Sequence, residues 1–314
     1  MRAAILVTIL IITVAPANAG PALLALHERC TAGNKAACDE MDKMLATPEI
    51  KKWVASLETK CEKKKDDKAC AQFGLLLSQG IAVPHDVARA TKLLTSGCQR
   101  NNEVACYGLG ALQQQVDPKL ALETYTRACT LRSWIACYQT GVLHQVGVGT
   151  AKDEAKSAPF HRRACDEGKH TSACYELGRF YYRGTGVAQN PREAAHLFTL
   201  GCNVGHAWSC QDLGYLYESG SGVDAKDDAR AVALYEKACK LSDPACINLA
   251  IRYGRGPKRD LAKALPLYER ACNGGEHKAC VNLGLLLREQ GDEARAMQFF
   301  AKACKGGVTS ACKP

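Results

Sequence analysis

The chain has 314 residues, enough for two ordinary domains or for one elongated repeat array. With 47% hydrophobic and 23% charged residues, its composition is globular rather than disordered. The formal net charge is +9, but the basic residues are spread along the chain, and the run Lys63-Lys64-Lys65 is followed directly by Asp66-Asp67. This distribution argues against a nucleic-acid partner, which would favour a basic stripe with base-stacking aromatic residues.

The N-terminus has the three parts of a secretory signal peptide. Met1-Arg2 supplies the positive start, residues 3–14 are almost wholly apolar, and Ala17-Asn18-Ala19 is a small-x-small cleavage site. The apolar run is too short for a spanning helix, which needs roughly 20 residues, and no later stretch is apolar enough to span a bilayer. We therefore predict a signal peptide over residues 1–19, cleavage after Ala19, and an exported protein, periplasmic or extracellular, with no membrane span.

Internal repetition dominates the rest of the chain. The motif Ala-Cys-x-x-Leu-Gly starts at Ala105, Ala173 and Ala279, and related copies recur between them. A second motif, Tyr-x-x-Ala-Cys, closes the repeats, and successive closing cysteines are 31 to 37 residues apart, which is the length of a two-helix repeat. The pattern predicts an all-α solenoid of about eight helix-turn-helix repeats over residues 20–314, with segments 20–36 and 305–314 as caps.

Each repeat divides into two helices by its apolar periodicity. In one of them, Leu213 and Leu216 recur at helical spacing, residues 220–223 break the run, and Asp227 opens a second amphipathic stretch. Glycines such as Gly214 lie inside the first helix, where glycine costs about 0.5–1 kcal/mol relative to alanine. A cost repeated in several repeats indicates close approach between packed helices.

The 18 cysteines form nine pairs separated by 7 to 9 residues, and each pair flanks the turn between two helices. A short turn between antiparallel helices brings such positions within disulfide distance, and the repetition of one local pair favours neighbour pairing. Structural zinc sites prefer cysteines two to four residues apart, so we predict disulfides and no metal. The predicted pairs are Cys30 with Cys38, Cys61 with Cys70, Cys98 with Cys106, Cys129 with Cys137, Cys165 with Cys174, Cys202 with Cys210, Cys239 with Cys246, Cys272 with Cys280 and Cys304 with Cys312.

These motifs, with one cysteine pair per repeat after a signal peptide, resemble Sel1-like repeats, which are related to the tetratricopeptide repeat. In particular, the chain resembles the secreted Helicobacter cysteine-rich proteins. The resemblance implies a right-handed superhelix that binds proteins, and it also implies β-lactam binding or weak β-lactamase activity, which is attached to some members. Mitochondrial cytochrome oxidase assembly factors have similar repeats but fit less well, because this N-terminus is typical of an export signal.

The search for a catalytic site gives little. The only Ser-x-x-Lys match that a serine β-lactamase would need is Ser310-Ala311-Cys312-Lys313, close to the end of the chain and without the other motifs of those enzymes. The histidines share no metal-ligand spacing, and His170, His206 and His277 fall in equivalent turns, which we interpret as exposed positions. We predict no catalytic residue, no metal and no cofactor.

A binding surface is easier to justify, because the first helices of stacked repeats line the inner face of a solenoid. Polar residues recur at the second position after the first-helix cysteine, larger side chains such as Ile251 follow one turn later, and Arg183 and Arg255 come after them on the same face. They predict a groove that binds a protein or peptide, and a solvated helix face is the alternative interpretation. We expect a monomeric scaffold; a β-lactam-binding protein and a purely structural spacer are the other hypotheses. The predicted groove residues are Gln139, Glu176, Arg179, Asp212, Tyr215, Asn248 and Asn282.

Overall fold

The computed structural model describes residues 35–255 and 259–313, with side chains from Asp39 onward. The predicted signal peptide over residues 1–19 and most of the first cap lie outside the described residues. The described part is all-α, with no strand in it, which confirms the predicted fold class. No helix in this part is long and apolar enough to cross a membrane.

The chain divides into two compact units, residues 1–168 and 169–314, here called the N-terminal and C-terminal units. Four helix pairs are described in each of them, which agrees with the eight repeats predicted. The helices of the N-terminal unit are α1 (Lys35–Leu45), α2 (Pro48–Lys64), α3 (Asp67–Gln79), α4 (Val87–Gln99), α5 (Glu103–Gln113), α6 (Pro118–Thr130), α7 (Trp134–Val146) and α8 (Glu154–Asp166). Those of the C-terminal unit are α9 (Thr171–Arg183), α10 (Pro191–Asn203), α11 (Ala207–Ser219), α12 (Asp228–Leu241), α13 (Cys246–Gly254), α14 (Leu261–Asn273), α15 (His277–Glu289) and α16 (Glu293–Lys305).

The second helix of nearly every pair starts at an Asp or Asn cap. The side-chain oxygen of this residue accepts a hydrogen bond of 2.8–3.2 Å from the backbone N–H three residues later, which satisfies a donor that the helix itself leaves unpaired. The caps of α4, α6, α8, α10, α12, α14 and α16 are Asp86, Asp117, Asp153, Asn190, Asp227, Asp260 and Asp292.

The glycine of the first helix marks the closest approach within a pair, as predicted. A Cβ atom built on Gly214 would lie 2.7 Å from the ring of Tyr235, and one built on Gly110 would lie 2.8 Å from the ring of Tyr125. Gly178 and Gly284 meet Phe198 and Phe300 in the same way. In these pairs one buried aromatic ring of the second helix therefore lies over a bare stretch of first-helix backbone, and such rings belong to the core of both units.

The disulfides link the end of each second helix to the start of the next repeat. Their Cα atoms are 4.2–4.8 Å apart, and all are largely buried except the last, at Cys312. Cys165 and Cys174 are also disulfide-bonded. The pairs found as predicted are Cys61–Cys70, Cys98–Cys106, Cys129–Cys137, Cys202–Cys210, Cys239–Cys246, Cys272–Cys280 and Cys304–Cys312.

The ninth predicted disulfide, between Cys30 and Cys38, lies outside the residues whose side chains the structure describes. Cys38 lies in α1, but its side chain lies outside the described residues, and so does the whole of Cys30. The bond between Cys38 and Cys30 stays a prediction from the repeat spacing alone.

The interpretation of the turn histidines as exposed positions is wrong. His170 and His206 are half-buried N-caps of α9 and α11, and each accepts a backbone hydrogen bond at Nδ1, of 3.3 Å from Ala173 and 3.2 Å from Ser209. His277, also half-buried, packs directly against Gly306. A neutral imidazole can cap a helix because one of its nitrogens is an acceptor.

Candidate protein-binding groove

A groove of about 450 Å³ lies in the C-terminal unit, between α11 and α13. The buried ring of Tyr235, from α12, contributes to its floor. Tyr215, with its side chain 46% exposed, borders it on the α11 side, and half-buried Ile251 contributes apolar surface on the α13 side. The residues that line it are Tyr215, Glu218, Tyr235, Asn248, Ile251, Arg252 and Arg255.

The carboxylate of Glu218 is already satisfied inside this groove. The hydroxyl of Tyr235 donates a hydrogen bond of 2.8 Å to Glu218 Oε2, and Arg252 lies 3.6 Å from Oε1. Burial raises the pKa of Tyr235 and so keeps its hydroxyl protonated. Arg252 in turn forms an ion pair of 2.9 Å with Asp228. Arg252 therefore lies between two carboxylates, and these contacts fix the wall of the groove.

A second polar cluster adjoins the groove on the α9 side. Glu176 and Arg179 form an ion pair with two contacts of 3.0 Å, and the guanidinium of Arg179 lies 5.7 Å from the ring centre of Tyr175. Burial raises the pKa of Asp212, although a hydrogen bond from Tyr175 and the charge of Arg179 partly counteract it. Tyr182 meets Tyr215 edge-to-face, with ring centres 6.1 Å apart. Side chains of α9 and α11 thus form a continuous surface that leads to the groove.

Two arginines on this surface differ from the rest. Arg183, in the last turn of α9, and Arg255, just after α13, are both exposed. Among the described residues no carboxylate forms an ion pair with either of them, whereas Arg179 and Arg252 are both paired. The surface therefore carries cationic groups with free hydrogen-bond donors.

The structure brings together some of the predicted groove residues and not others. Tyr215 and Asn248 line the groove, and Glu176, Arg179 and Asp212 belong to the adjoining cluster. Asn282 is half-buried on α15 and is not among the lining residues. Gln139 lies in the N-terminal unit, where its side chain is buried and only 6% exposed. That these residues bind a ligand stays a prediction.

Three lining residues were missed by the sequence analysis. Glu218 and Arg252 continue the helix faces of Tyr215 and Asn248 by one turn, so following the same periodicity further would have found them. Tyr235 belongs to the closing motif of its repeat, and that pattern gives it a role in the core only. Tyr235 is a core residue that also lines the groove, and no sequence pattern indicates this second role.

The remaining candidates for chemistry are dispersed. Ser310 and Lys313 of the Ser-x-x-Lys match are both exposed, next to the disulfide of Cys312. Across residues 39–255 and 259–313, no group of three or more His, Cys, Asp or Glu side chains is arranged to hold a metal ion.

Three features define the class of this protein: helices in pairs, an aromatic ring over glycine in most pairs, and a disulfide at each junction that the structure describes within the two units. They are the features of an α-helical repeat protein cross-linked by disulfides. More particularly, the chain belongs to the Sel1 repeat family. The model of that family matches it seven times, at residues 67–102, 104–133, 134–169, 171–206, 209–243, 244–276 and 277–308.

Individual relatives agree with this assignment. Helicobacter pylori cysteine rich protein B is 33% identical, and the match covers 41% of this chain and 92% of that one, with a TM-score of 0.33. The seven matches of the family model confirm the predicted resemblance to Sel1-like repeats. The structure of c5321, a protective antigen of uropathogenic Escherichia coli, matches with a TM-score of 0.67 at 20% identity. That match covers 92% of this chain and 65% of c5321, and it shows the fold alone.

A curated relative comes from the second family considered above. Cytochrome c oxidase assembly factor 7 of Xenopus tropicalis is 28% identical over 206 residues. The match covers 60% of this chain and 87% of the frog protein.

Proposed function

We propose that this protein is an exported scaffold that binds an extended segment of another protein in the groove between α11 and α13. Sel1 repeats are protein-interaction modules, so a protein partner follows from the family. One observation carries the more specific proposal: Tyr215 and Asn248, predicted from periodicity alone, line the same groove.

The chemistry of the groove suits a peptide. The amide of Asn248 offers both a donor and an acceptor, which is what a peptide backbone requires. Tyr215 and Ile251 supply apolar contact surface, and tyrosine is enriched in protein interfaces because it is large and has a polar end. A volume of about 450 Å³ lies within the range of ordinary ligand sites, which is roughly 300–1,000 Å³.

Export is supported by two independent features. Disulfides form and persist in oxidising compartments, and all the cysteines among the described side chains are bonded. The N-terminal pattern of charge, apolar run and small residues is the second feature. The matched test is a fusion of residues 1–34 to a reporter enzyme that is active only outside the cytoplasm. Arg2→Glu with charged residues placed in the apolar run is the control that should lose activity.

Site-specific photo-cross-linking tests the groove directly. We would place a benzophenone amino acid at Tyr215 or at Leu200, two side chains that are both 46% exposed but lie on a first and a second helix. The expected result is a discrete cross-linked partner at position 215 and none at position 200, because only the former borders the groove. Equal cross-linking at the two positions would contradict the proposal.

Substitution of the amides supplies the second arm of this test. Asn248→Ala should reduce the yield of the adduct at position 215, whereas Asn282→Ala is the control, because Asn282 is not among the lining residues. Both should leave the helical circular dichroism unchanged, since both side chains are only half-buried. An unchanged yield with Asn248→Ala would mean that its amide takes no part in binding.

The curated relative favours a second candidate, a role in the assembly of a cytochrome c oxidase, as its name states. The observation behind it is the match over 87% of that protein. The reporter fusion separates the two candidates, because an exported scaffold requires that residues 1–34 carry the reporter out of the cytoplasm, and a mitochondrial factor does not.

A further inference from the structure

The charges of the C-terminal unit indicate what kind of segment the groove accepts. The groove lining contains two arginines and one glutamate; that glutamate, Glu218, accepts a hydrogen bond from Tyr235 and lies 3.6 Å from Arg252, which also pairs with Asp228. Arg255 has no carboxylate partner among the described residues, and neither has Arg183 on the neighbouring α9. A ligand with two carboxylates would form an ion pair with each of these arginines.

The apolar surface lies between these two cations in the order of the helices. Arg183 belongs to α9, Tyr215 to α11, and Ile251 and Arg255 to α13 and its C-terminal end. Tyr182 and Tyr215 contact each other edge-to-face and so connect the surface of α9 to the groove. A ligand that extends across the three helices would meet a cation, then aromatic and aliphatic surface, then a second cation.

One carboxylate of the α9–α11 cluster, Asp212, is affected by burial. Asp212 lies behind Tyr175 in the α9–α11 cluster, where burial raises its pKa and Arg179 and Arg183 act in the opposite direction. A hydrogen bond from Tyr175 therefore holds Asp212 within the protein, and Arg179 and Arg183 act on it from beyond ion-pair distance.

We infer that the groove binds an acidic segment: an extended peptide with one apolar side chain seated between Tyr215 and Ile251 and with Asp or Glu on either side. This inference rests on the proposed function and names its partner class.

Charge complementarity argues against a second copy of this chain as the occupant. The protein carries a net charge of +9, so a second copy would bring further positive charge to two unpaired arginines. Like charges brought together across an interface are unfavourable, and complementary potentials are the usual arrangement.

Selection from a random peptide library displayed on phage tests this inference with the oxidised mature chain as the target. We expect enrichment of peptides in which Asp or Glu flanks an aliphatic or aromatic residue. The affinity of such a peptide, made synthetically, should fall at least tenfold with Arg255→Gln and by a similar factor with Arg183→Gln. Arg270→Gln is the matched control, since it removes the same charge from an arginine paired with Asp243 on the second-helix side; it should change the affinity less than twofold.

The other outcomes distinguish the two levels of the proposal. Peptides that lose binding with Tyr215→Ala, but carry no acidic residues and ignore Arg255→Gln, would overturn the acidic specificity and leave the groove in place. Peptides that bind the Tyr215→Ala variant with the same affinity as the natural chain would overturn the proposal that this groove is the binding site. An equal loss with Arg270→Gln would mean non-specific attraction to a basic protein, and the inference would then be wrong.

Discussion

The N-terminal and C-terminal units use the same repeat but differ at two positions of the first helix. At the second position after the cysteine, the N-terminal unit has the buried residues Gln72, Gly108 and Gln139, whereas the C-terminal unit has half-buried polar residues. Three residues further on, Leu75 is 0% exposed, but Leu285 at the equivalent place is 52% exposed. The alanines, cysteines, glycines and aromatic rings that build the core are common to both. The difference teaches that the fold fixes one set of positions and leaves another set free for binding.

Removing one disulfide from each unit should give the largest effect and should treat the units alike. We expect Cys98→Ala with Cys106→Ala, and Cys202→Ala with Cys210→Ala, each to lower the free energy of unfolding by about 2–3 kcal/mol, because each bond closes a loop of about nine residues. Urea unfolding of the two double variants against the natural chain measures this. A loss of unfolding free energy in only one of the two double variants would contradict the prediction that the shared positions act alike in both units.

Filling the glycine contact sharpens the comparison. Gly110→Ala and Gly214→Ala should each cost about 1–2 kcal/mol, because the new methyl group would have to displace the ring of Tyr125 or Tyr235 by several tenths of an ångström. Only Gly214→Ala should also weaken peptide binding, since Tyr235 contributes to the floor of the groove.

Gly254→Ala is the milder control, since a Cβ atom there would meet nothing nearer than 3.2 Å. Thermal unfolding and peptide titration of the three variants check this prediction. Equal binding by Gly110→Ala and Gly214→Ala would count against the groove.

A lower pH should destabilise the histidine helix caps of the C-terminal unit. We expect this effect on the free energy of unfolding to be smaller than those of the disulfide and glycine substitutions. Burial lowers the pKa of His170 to about 4 and also lowers that of His206. Between the ordinary value near 6.5 and about 4, the unfolded chain binds more protons than the folded one, so stability falls as the pH falls. The physical reason is that a protonated Nδ1 cannot accept the capping hydrogen bond.

The test replaces each histidine by asparagine, which caps a helix at any pH in this range. His170→Asn and His206→Asn should match the natural chain near pH 8 and exceed it by about 1 kcal/mol each near pH 5, as measured by urea unfolding at the two pH values. A parallel decline in both proteins would show that other groups control the acid response. In the N-terminal unit, Asp66 and Asn102 hold the equivalent caps, so the same acid sensitivity is absent from those two positions.

Most of the fold could be predicted because the repeat displays it many times. The break at residues 220–223 and the start at Asp227 match the end of α11 at Ser219 and the cap of α12. The disulfide pairing from Cys61 onward was predictable for the same reason: one local pair recurs at nearly constant spacing. Repetition separates the positions that packing requires from those that it leaves free.

The site could be predicted only in part, because it depends on differences between repeats. Tyr215 and Asn248 were found by their position on a helix face, but the same rule selected Gln139, which neighbouring side chains bury. The histidines were misread since a helix cap and an exposed turn have the same place in the sequence. Burial depends on how closely adjacent helices pack, and a single sequence does not contain that distance.

The position of the disulfides has a consequence for how such a protein can evolve. The two cysteines of each pair are only 7 to 9 residues apart and span a junction between repeats. A gene duplication that copies one repeat length, with endpoints anywhere outside that short loop, therefore inherits a complete pair and leaves no unmatched thiol. Arrays built in this way can lengthen or shorten one repeat at a time inside an oxidising compartment, without passing through an intermediate that is open to wrong cross-links.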